Sequence, residues 1–204
     1  MITIINYGLG NIQAIVNIYD RLNLPVVVAT TPDELATAEK IILPGVGAFD
    51  WAMQQLNQSG MRSCLDELVT VKKIPILGIC VGMQMLACRS DEGILAGLGW
   101  IDAEVKKFDE SNFMQKTHLP HMGWNDVIPQ NLDSLFRGME GNPRYYFLHS
   151  YYFLPKKNDE VLALTDYNGF FASAIRSGNV FGTQFHPEKS HQWGIQLLKN
   201  FSEL

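Results

Sequence analysis

The sequence has few cysteines, and their number argues against a disulfide-stabilised fold. Cys64, Cys80 and Cys88 are three in 204 residues, an odd count without the spacing of a disulfide framework. We therefore expect reduced thiols and a cytoplasmic protein. The five histidines are scattered, and none pairs with a cysteine at zinc-finger spacing. No metal site is predicted.

Positive charge and long apolar runs are also scarce. The chain has 16 Lys and Arg against 21 Asp and Glu, a formal net charge of −5, without a dense basic run, so no nucleic-acid partner is expected. Apolar stretches such as 74–81 are far shorter than the roughly 18 residues of a membrane span, so no membrane association is expected. The N-terminus lacks the pattern of a secretory signal.

What is present suits one globular α/β domain. Apolar residues make up 47% of the chain and charged residues 18%, enough for a sizeable core. No repeat, low-complexity tract or flexible linker interrupts residues 1–204, so they are predicted to form a single domain.

The pattern of apolar residues changes near Gly99. Before it, apolar strands alternate with helical patterns, which is typical of a parallel sheet covered on both faces. Beyond it, strands follow one another through short turns, which favours antiparallel pairing. We predict an α/β fold with a mixed, mostly parallel central sheet, helices on both faces and additional antiparallel strands in the second half. The predicted strands are 2–6, 25–29, 40–43, 74–79, 101–108, 144–152, 161–166, 171–176 and 180–184; the helices are 12–22, 32–38, 49–56, 61–71, 83–87 and 191–201; and 109–117 is a loop.

Cys80 has the sequence context of a nucleophile. Gly78-Ile-Cys-Val-Gly82 follows the most apolar strand and precedes a helical pattern, the arrangement of a nucleophile elbow with Cys in place of Ser. The turn is so tight that glycines are needed on both sides, and the following helix points N–H groups at the sulfur, which favours a thiolate. The alternative is a buried structural cysteine. Cys64 and Cys88 lack paired glycines and are predicted to be small buried apolar residues.

His186-Pro-Glu188 follows the last predicted strand and offers a base with a carboxylate to orient it. In extended backbone, residues two apart lie on the same side, so Glu188 shares a face with His186. A carboxylate beside an imidazole fixes its tautomer and stabilises the imidazolium. With Cys80 these residues form a predicted Cys–His–Glu set. Alone, the motif also fits a surface turn.

Glycines at 45 and 47 follow the third strand and free the backbone to aim N–H groups at a developing oxyanion, with the Val81 N–H as a further donor. An ordinary strand-to-helix turn has the same pattern. Gly8 and Gly10 approach a dinucleotide fingerprint, but Gln13 occupies the third glycine position, so no cofactor is predicted.

Five ordered motifs together resemble the class I glutamine amidotransferases, most closely the glutaminase subunits of imidazole glycerol phosphate synthases. The resemblance runs from Asn6-Tyr-Gly-Leu-Gly-Asn11 to the last helix. Two departures are Asn6, where Asp is expected, and Val81, where Leu is commoner. The motifs are Leu43-Pro-Gly-Val-Gly-Ala-Phe49, Gly78-Ile-Cys-Val-Gly-Met-Gln84, Pro120-His-Met-Gly-Trp-Asn125, His149-Ser-Tyr151 and Gln184-Phe-His-Pro-Glu-Lys-Ser190.

The resemblance implies a glutaminase that works through a γ-glutamyl thioester on Cys80, with His186 as base and acid and Glu188 as its orienting partner. It implies that backbone groups of Val46, Gly47 and Val81 hold the oxyanion. The residues that it places around L-glutamine are Gln84, Glu92, His149, Ser150 and Tyr151.

The resemblance also implies a separate synthase subunit that accepts the ammonia, since 204 residues leave no room for an acceptor domain. That partner is expected to be a cyclase barrel of histidine biosynthesis or, alternatively, a sugar amidotransferase of surface-polysaccharide synthesis. A stand-alone γ-glutamyl cysteine hydrolase and a non-catalytic binding subunit are further alternatives. The residues expected to border the partner are Tyr7, Asn11, Met122, Trp124, Asn125 and Lys189; Met122 and Trp124 would also suit a core.

Overall fold

The computed structural model of the chain describes residues 1–112, 118–141 and 143–204. The first elements in chain order are β1 (Ile2–Ile5), α1 (Ile12–Arg21), β2 (Val26–Ala29), α2 (Pro32–Leu35), β3 (Lys40–Gly45), α3 (Phe49–Gln58), α4 (Arg62–Asp66), β4 (Ile76–Cys80), α5 (Val81–Gln84) and β5 (Arg89–Ser90). They are followed by β6 (Ala103–Lys107), β7 (His121–Asp126), β8 (Ile128–Pro129), β9 (Arg144–His149), β10 (Tyr151–Pro155), β11 (Val161–Asp166), β12 (Phe170–Ser177), β13 (Val180–Thr183) and α6 (His191–Ser202).

The main sheet has the order β2-β1-β3-β4-β13-β12-β10-β6-β5. Pairing is parallel from β2 through β13, and antiparallel from β13 through β12 and β10 to β6. We call β1–β4 and β13 the parallel half, and β6–β12 the antiparallel half. The antiparallel half also contains a separate two-stranded ribbon, β7 with β9.

Helices cover both faces of the parallel half. The β1–β2 and β3–β4 connections run in opposite directions across the sheet, and right-handed crossovers therefore place α1 and α3 on opposite faces. Strands β1, β4 and β13 are buried along their whole length, as expected of continuous apolar runs between two helical layers. The predicted mixed sheet with helices on both faces is confirmed.

Residues 144–152 were predicted as one strand, and this is wrong. The segment forms two strands in different sheets, with a break at Ser150. His149 pairs with His121 in the ribbon, whereas Tyr151 pairs with Lys107 in the main sheet. Aromatic residues continue through this segment, so the sequence gives no sign that the chain passes from one sheet to the other.

Other differences concern element lengths. The helix predicted over 83–87 is a single turn that begins at Val81, and the pattern over 61–71 divides into α4 and a π-helical turn, Glu67–Val71. Strand β7 was not predicted, because Gly123 interrupts the alternation of apolar and polar residues that is typical of a strand. In the structure Gly123 has φ +120°. Of the predicted loop 109–117, residues 113–117 lie outside the described part, and Glu110–Asn112 forms a 3₁₀ turn. In the described ranges, no helix has the length and hydropathy that crossing a bilayer requires.

Candidate active site

Cys80 ends β4 in a sterically crowded turn. Its φ of +56° is in a region that non-glycine residues rarely adopt. A Cβ on Gly78 would lie 2.6 Å from the Gly82 carbonyl oxygen, and a Cβ on Gly82 would lie 2.0 Å from the Leu43 carbonyl oxygen. Both flanking positions therefore admit only glycine, and Cys80 takes the strained conformation between them.

The parallel sheet brings His186 to the same edge as Cys80. Strand β13 pairs with β4, with Thr183 opposite Ile79, so the residues that follow each strand meet beyond the carboxyl ends, where open α/β sheets place their sites. The His186 backbone N–H donates to the Tyr146 carbonyl at 2.9 Å. This bond ties the segment to β9.

Glu188 contacts the other side of the imidazole. His186 Nδ1 lies 2.8 Å from Glu188 Oε1, and both side chains are almost fully buried. The expected pairing at i and i+2 is present, but the backbone differs from the expectation. His186 is extended, whereas Pro187–Lys189 forms a 3₁₀ turn that brings the carboxylate back to the ring.

The environment of His186 favours the imidazolium. Burial lowers its pKa, but hydrogen bonds and charges from Cys80 and Glu188 outweigh burial and raise the pKa to about 10. A protonated imidazole between a sulfur and a carboxylate can stabilise a thiolate and supply a proton to a leaving group.

A pocket of about 310 Å³ opens above the sulfur. It is a concave site with polar groups converging on one reactive atom. Residues from both halves of the molecule line it: Val46, Gly47, Cys80, Val81, Gln84, Glu92, Pro120, Leu148, His149, Ser150, Tyr151, His186 and Lys189. The structure thus brings every residue expected to contact glutamine or the oxyanion to one cavity, together with Cys80 and His186.

Glu92 lies at one wall of this cavity, where its carboxylate is already partly engaged. Glu92 Oε2 accepts a hydrogen bond from the Phe49 backbone N–H at 2.8 Å, at the start of α3. Burial raises its pKa, the Phe49 N–H lowers it, and the charge of Asp50 raises it further. An ammonium group in the pocket would find a half-buried carboxylate that lacks a cationic partner among the described ion pairs.

The loop after β3 is the expected oxyanion donor. Gly47 has φ +88°, in the left-handed region that glycine adopts readily. In the sheet, Gly45 lies directly beside Cys80, which brings the loop that follows Gly45 against the elbow. The roles of Val46, Gly47 and Val81 as donors remain predictions.

Residues expected at the partner face divide into exposed and buried ones. Asn11 and Lys189 are exposed, and Met122 and Trp124 are 66% and 40% exposed, which excludes the alternative that the latter two belong to the core. Asn125 is half-buried.

Tyr7 is the exception, because it is 5% exposed. Its hydroxyl donates to the Pro44 carbonyl at 2.7 Å, and burial together with the nearby Cys80 raises its pKa. The expectation that Tyr7 contacts a partner is therefore wrong, since an apolar strand end carries it into the interior beneath the loop at 44–47.

Two polar residues, one beside the sulfur and one behind the pocket residue His149, received no role from the sequence. The side-chain amide nitrogen of Gln184 lies 3.9 Å from Cys80 Sγ, and the ring of His121 lies 2.9 Å from that of His149. One signal was present: Gln184 ends an apolar strand two residues before His186, which places both on one side of an extended segment.

The other cysteines lie outside this pocket. Cys64 is half-buried and Cys88 is exposed, so the expectation of two buried apolar cysteines is wrong for Cys88. Among the described residues, no three His, Cys, Asp or Glu side chains are grouped as a metal site.

Comparisons with known proteins agree with this geometry. The family model described as glutamine amidotransferase class-I matches residues 3–203. A Bdellovibrio bacteriovorus protein named imidazole glycerol phosphate synthase subunit HisH is 57% identical over 204 residues, and its Leptospira interrogans namesake is 49% identical over 206 residues; each match covers 100% of both chains. The structure of PurLQS from Thermotoga maritima superposes with a TM-score of 0.74 at 19% identity, covering 99% of this chain and 97% of that one. With a nucleophile elbow, a histidine and a carboxylate at one sheet edge, and a family match along almost its whole length, the chain belongs to the class I glutamine amidotransferases.

Proposed function

We propose that this chain is the glutaminase subunit of an imidazole glycerol phosphate synthase, hydrolysing L-glutamine and passing ammonia to a cyclase subunit. The observation that carries the proposal is that buried His186 interacts with both Cys80 and Glu188, and that Cys80 and His186 line a 310 Å³ pocket. The names of the relatives from Bdellovibrio and Leptospira support the choice of synthase.

In the first half-reaction, the Cys80 thiolate attacks the side-chain amide carbon of glutamine. A C–S bond forms and the amide oxygen becomes an oxyanion, which the backbone N–H groups of Val46, Gly47 and Val81 stabilise. The His186 imidazolium then protonates the amide nitrogen, the C–N bond breaks, and ammonia leaves a γ-glutamyl thioester on Cys80.

In the second half-reaction, water attacks the thioester. Neutral His186 takes a proton from the water as its oxygen bonds to the carbonyl carbon, and the C–S bond breaks to release glutamate and regenerate the thiolate–imidazolium pair. Glu188 keeps the proton on Nδ1 throughout and stabilises the charged ring.

The substrate's amino-acid end is assigned to the opposite wall of the pocket. Glu92 supplies a carboxylate for the α-ammonium, and Gln84 keeps its amide oxygen free, because its nitrogen already donates to the Tyr151 carbonyl and to Gln184. Tyr151 and Ser150 close this side of the cavity.

The cyclase is proposed to dock on the ribbon beside the pocket mouth. Leu148 lines the pocket and pairs with Met122 across the ribbon, and both side chains are exposed, as is Trp124. Exposed apolar groups around an active-site opening are typical of a protein interface. Ammonia released into bulk water near neutral pH would be protonated and lose its nucleophilicity, so a covered path to the partner is required.

The test is glutamine-dependent and ammonia-dependent synthesis by the complex with the cyclase. We expect Cys80→Ala to abolish the glutamine-dependent reaction and leave the reaction with ammonium salts intact. His186→Ala should behave alike. Survival of glutamine-dependent synthesis in Cys80→Ala would overturn the mechanism.

The choice of partner is tested separately, by adding the purified cyclase or a sugar amidotransferase to the same preparation. Stimulation of glutamine hydrolysis by the cyclase alone supports the proposal, whereas stimulation by the sugar enzyme alone contradicts it. Full steady activity without either protein would favour the stand-alone γ-glutamyl hydrolase.

A further inference from the structure

The carbonyl of the pocket residue Tyr151 organises two lines of hydrogen bonds. The Tyr151 carbonyl oxygen accepts from His149 Nδ1 at 2.8 Å and from the Gln84 amide nitrogen at 3.0 Å. A carbonyl can only accept. Both side chains therefore present a proton to it, and this fixes the His149 tautomer and the orientation of the Gln84 amide.

The first line, which we call the histidine line, runs from the Tyr151 carbonyl through His149 and His121 to Asn125. The carbonyl determines which atom donates and which accepts at each step. With its proton on Nδ1, neutral His149 offers the lone pair of Nε2 to His121, whose Nδ1 lies 2.9 Å away and must donate. His121 Nε2 in turn accepts from the Asn125 amide nitrogen at 3.1 Å. That nitrogen also donates to the Asp166 carbonyl at 3.0 Å, which fixes the Asn125 amide independently.

Burial keeps both rings of this line uncharged. It lowers the pKa of His121 to about 4. For His149, burial and the neighbouring His121 lower the pKa to about 3.

The glutamine line runs from the same carbonyl to the nucleophile. The Gln84 amide nitrogen has a second hydrogen, which it donates to Gln184 Oε1 at 3.1 Å. Gln184 therefore has its oxygen turned away from Cys80, and its amide nitrogen lies 3.9 Å from the sulfur. In the reverse orientation of Gln184, its amide nitrogen would face the Gln84 amide nitrogen, two donors with no acceptor between them, and its oxygen would face the Cys80 sulfur.

We propose that Gln184 is a further catalytic residue, whose amide N–H stabilises the Cys80 thiolate, and that the lines meeting at the Tyr151 carbonyl hold this N–H in place. Gln84, His149 and His121 are then positioning residues for Gln184. This inference rests on the proposed function, since a thiolate matters only where Cys80 is the nucleophile.

The amide orientation has a direct electrostatic consequence. A donor aimed at a thiolate in a buried site stabilises the negative charge, whereas an amide oxygen in the same place would repel it. Loss of a hydrogen bond to a charged group corresponds to roughly a tenfold change or more in an equilibrium. We therefore expect the nucleophilic reactivity of Cys80 to depend on Gln184.

The first experiment measures the histidine tautomers in the full chain with ¹⁵N-labelled histidine. Long-range ¹H–¹⁵N correlation spectra at pH 7 should show His121 and His149 both neutral and both protonated on Nδ1. A charged ring, or a proton on Nε2 of either, would overturn the proposed positioning lines. This readout does not require glutaminase activity.

The second experiment measures the rate at which iodoacetamide alkylates Cys80, with exposed Cys88 as the internal control. Gln184→Met removes the donor while keeping similar volume, and we expect alkylation of Cys80 to slow about tenfold at fixed pH. A merely structural role would loosen the site and speed the reaction. Unchanged alkylation in Gln184→Met would overturn the role of Gln184.

Gln184→Glu distinguishes the effect of losing the N–H donor from the effect of changed packing. It keeps the shape and the acceptor for Gln84 but places a carboxylate oxygen near the sulfur, so alkylation and kcat should fall at least as far as in Gln184→Met, with KM for glutamine unchanged. Recovery of wild-type rates in Gln184→Glu would overturn the proposal.

Thermal unfolding and ammonia-dependent synthesis by the complex show whether each variant is folded. If the wild-type chain fails to hydrolyse glutamine, the proposed function fails, whereas the tautomer and alkylation results still decide the arrangement around Cys80.

Discussion

The two halves of the molecule contribute different things to the pocket. The parallel half supplies reactive groups at strand ends: Cys80 at the end of β4, His186 after β13 and the glycine loop after β3. The antiparallel half supplies a wall of rings and amides, in which His149, Ser150 and Tyr151 lie where the chain passes from the ribbon to the main sheet. The comparison indicates that one half carries out the chemistry and the other sets its geometry.

The packing of the two halves differs in the same sense. At the elbow, backbone lies against backbone, as at Gly82 and Leu43. In the antiparallel half, the ring of His121 stacks on Phe147 and Tyr167, at centroid distances of 4.6 and 4.0 Å. Tight backbone contact tolerates no added atom, whereas stacked rings tolerate small shifts. Substitutions should therefore have all-or-none effects in the parallel half and graded effects in the antiparallel half.

The largest effect is expected from Gly82→Ala. The new Cβ would lie 2.0 Å from the Leu43 carbonyl oxygen, and Leu43 is held in β3 between β1 and β4, so we expect a loss of about 3 kcal/mol in the free energy of unfolding. Gly138→Ala is the matched control, because its Cβ would meet nothing within 4 Å and only its φ of +73° is strained, which costs about 1 kcal/mol. Chemical denaturation measures both. Equal losses would contradict the account of the elbow.

The next largest effects are expected when the negative charge is removed from Glu188, beside His186, or from Glu92, at the wall of the pocket. Glu188→Gln removes the carboxylate that raises the pKa of His186, so kcat for glutamine hydrolysis should fall about 100-fold with KM unchanged. Glu92→Gln, the same change at the wall, should raise KM and leave kcat nearly unchanged, because it weakens binding in the ground and transition states alike. Steady-state kinetics of the two variants tests whether Glu188 acts in catalysis and Glu92 in binding. A KM effect in Glu188→Gln together with a kcat effect in Glu92→Gln would contradict this assignment.

The sequence predicts the site better in the parallel half than in the antiparallel half. The elbow could be predicted from the sequence alone, because its signals are local: glycines at 78 and 82 and the apolar strand before them. The contact between His186 and Glu188 was also predicted, although through extended backbone rather than the 3₁₀ turn that makes it. Local spacing and steric needs carried these predictions.

The positioning groups could not be predicted in the same way. His121 and His149 are 28 residues apart and meet only because β7 pairs with β9, and β7 gave no strand pattern around Gly123. Gln184 meets Gln84 across 100 residues. Such contacts depend on tertiary pairing, which local periodicity does not report, and Tyr7 was misplaced for the same reason.

A smaller effect is expected in the acid stability of the antiparallel half. The pKa values of His121 and His149 are lowered to about 4 and about 3, so the unfolded chain, with histidines near 6.5, binds more protons as the pH falls. The stability that these neutral rings contribute is complete above about pH 6.5 and is lost as the pH falls towards 4. Thermal unfolding from pH 7 to 4 should show this decline in the wild type.

His186 should not contribute to that decline. Its pKa is raised to about 10, so its contribution is fully present below about pH 6.5 and is lost only as the pH rises through 10. A variant with both His121→Phe and His149→Phe should show a shallower decline between pH 6.5 and 4, whatever its stability at pH 7. His118→Gln, at an exposed histidine, is the control and should keep the wild-type slope. A wild-type slope in the double variant would mean that the buried pair does not govern acid stability.

The smallest effect on the isolated chain is expected at the exposed ribbon. Met122 is 66% exposed, so Met122→Ala should change the free energy of unfolding by no more than about 0.5 kcal/mol. If the ribbon docks the cyclase, the same variant should weaken the complex about tenfold, because an apolar side chain at the pocket mouth would be buried there. Leu154→Ala, at a 47% exposed position of β10, should leave the affinity unchanged. Calorimetric titration of both variants with the cyclase measures the difference, and equal affinities would remove the ribbon from the interface and leave the antiparallel half with the wall of the pocket alone.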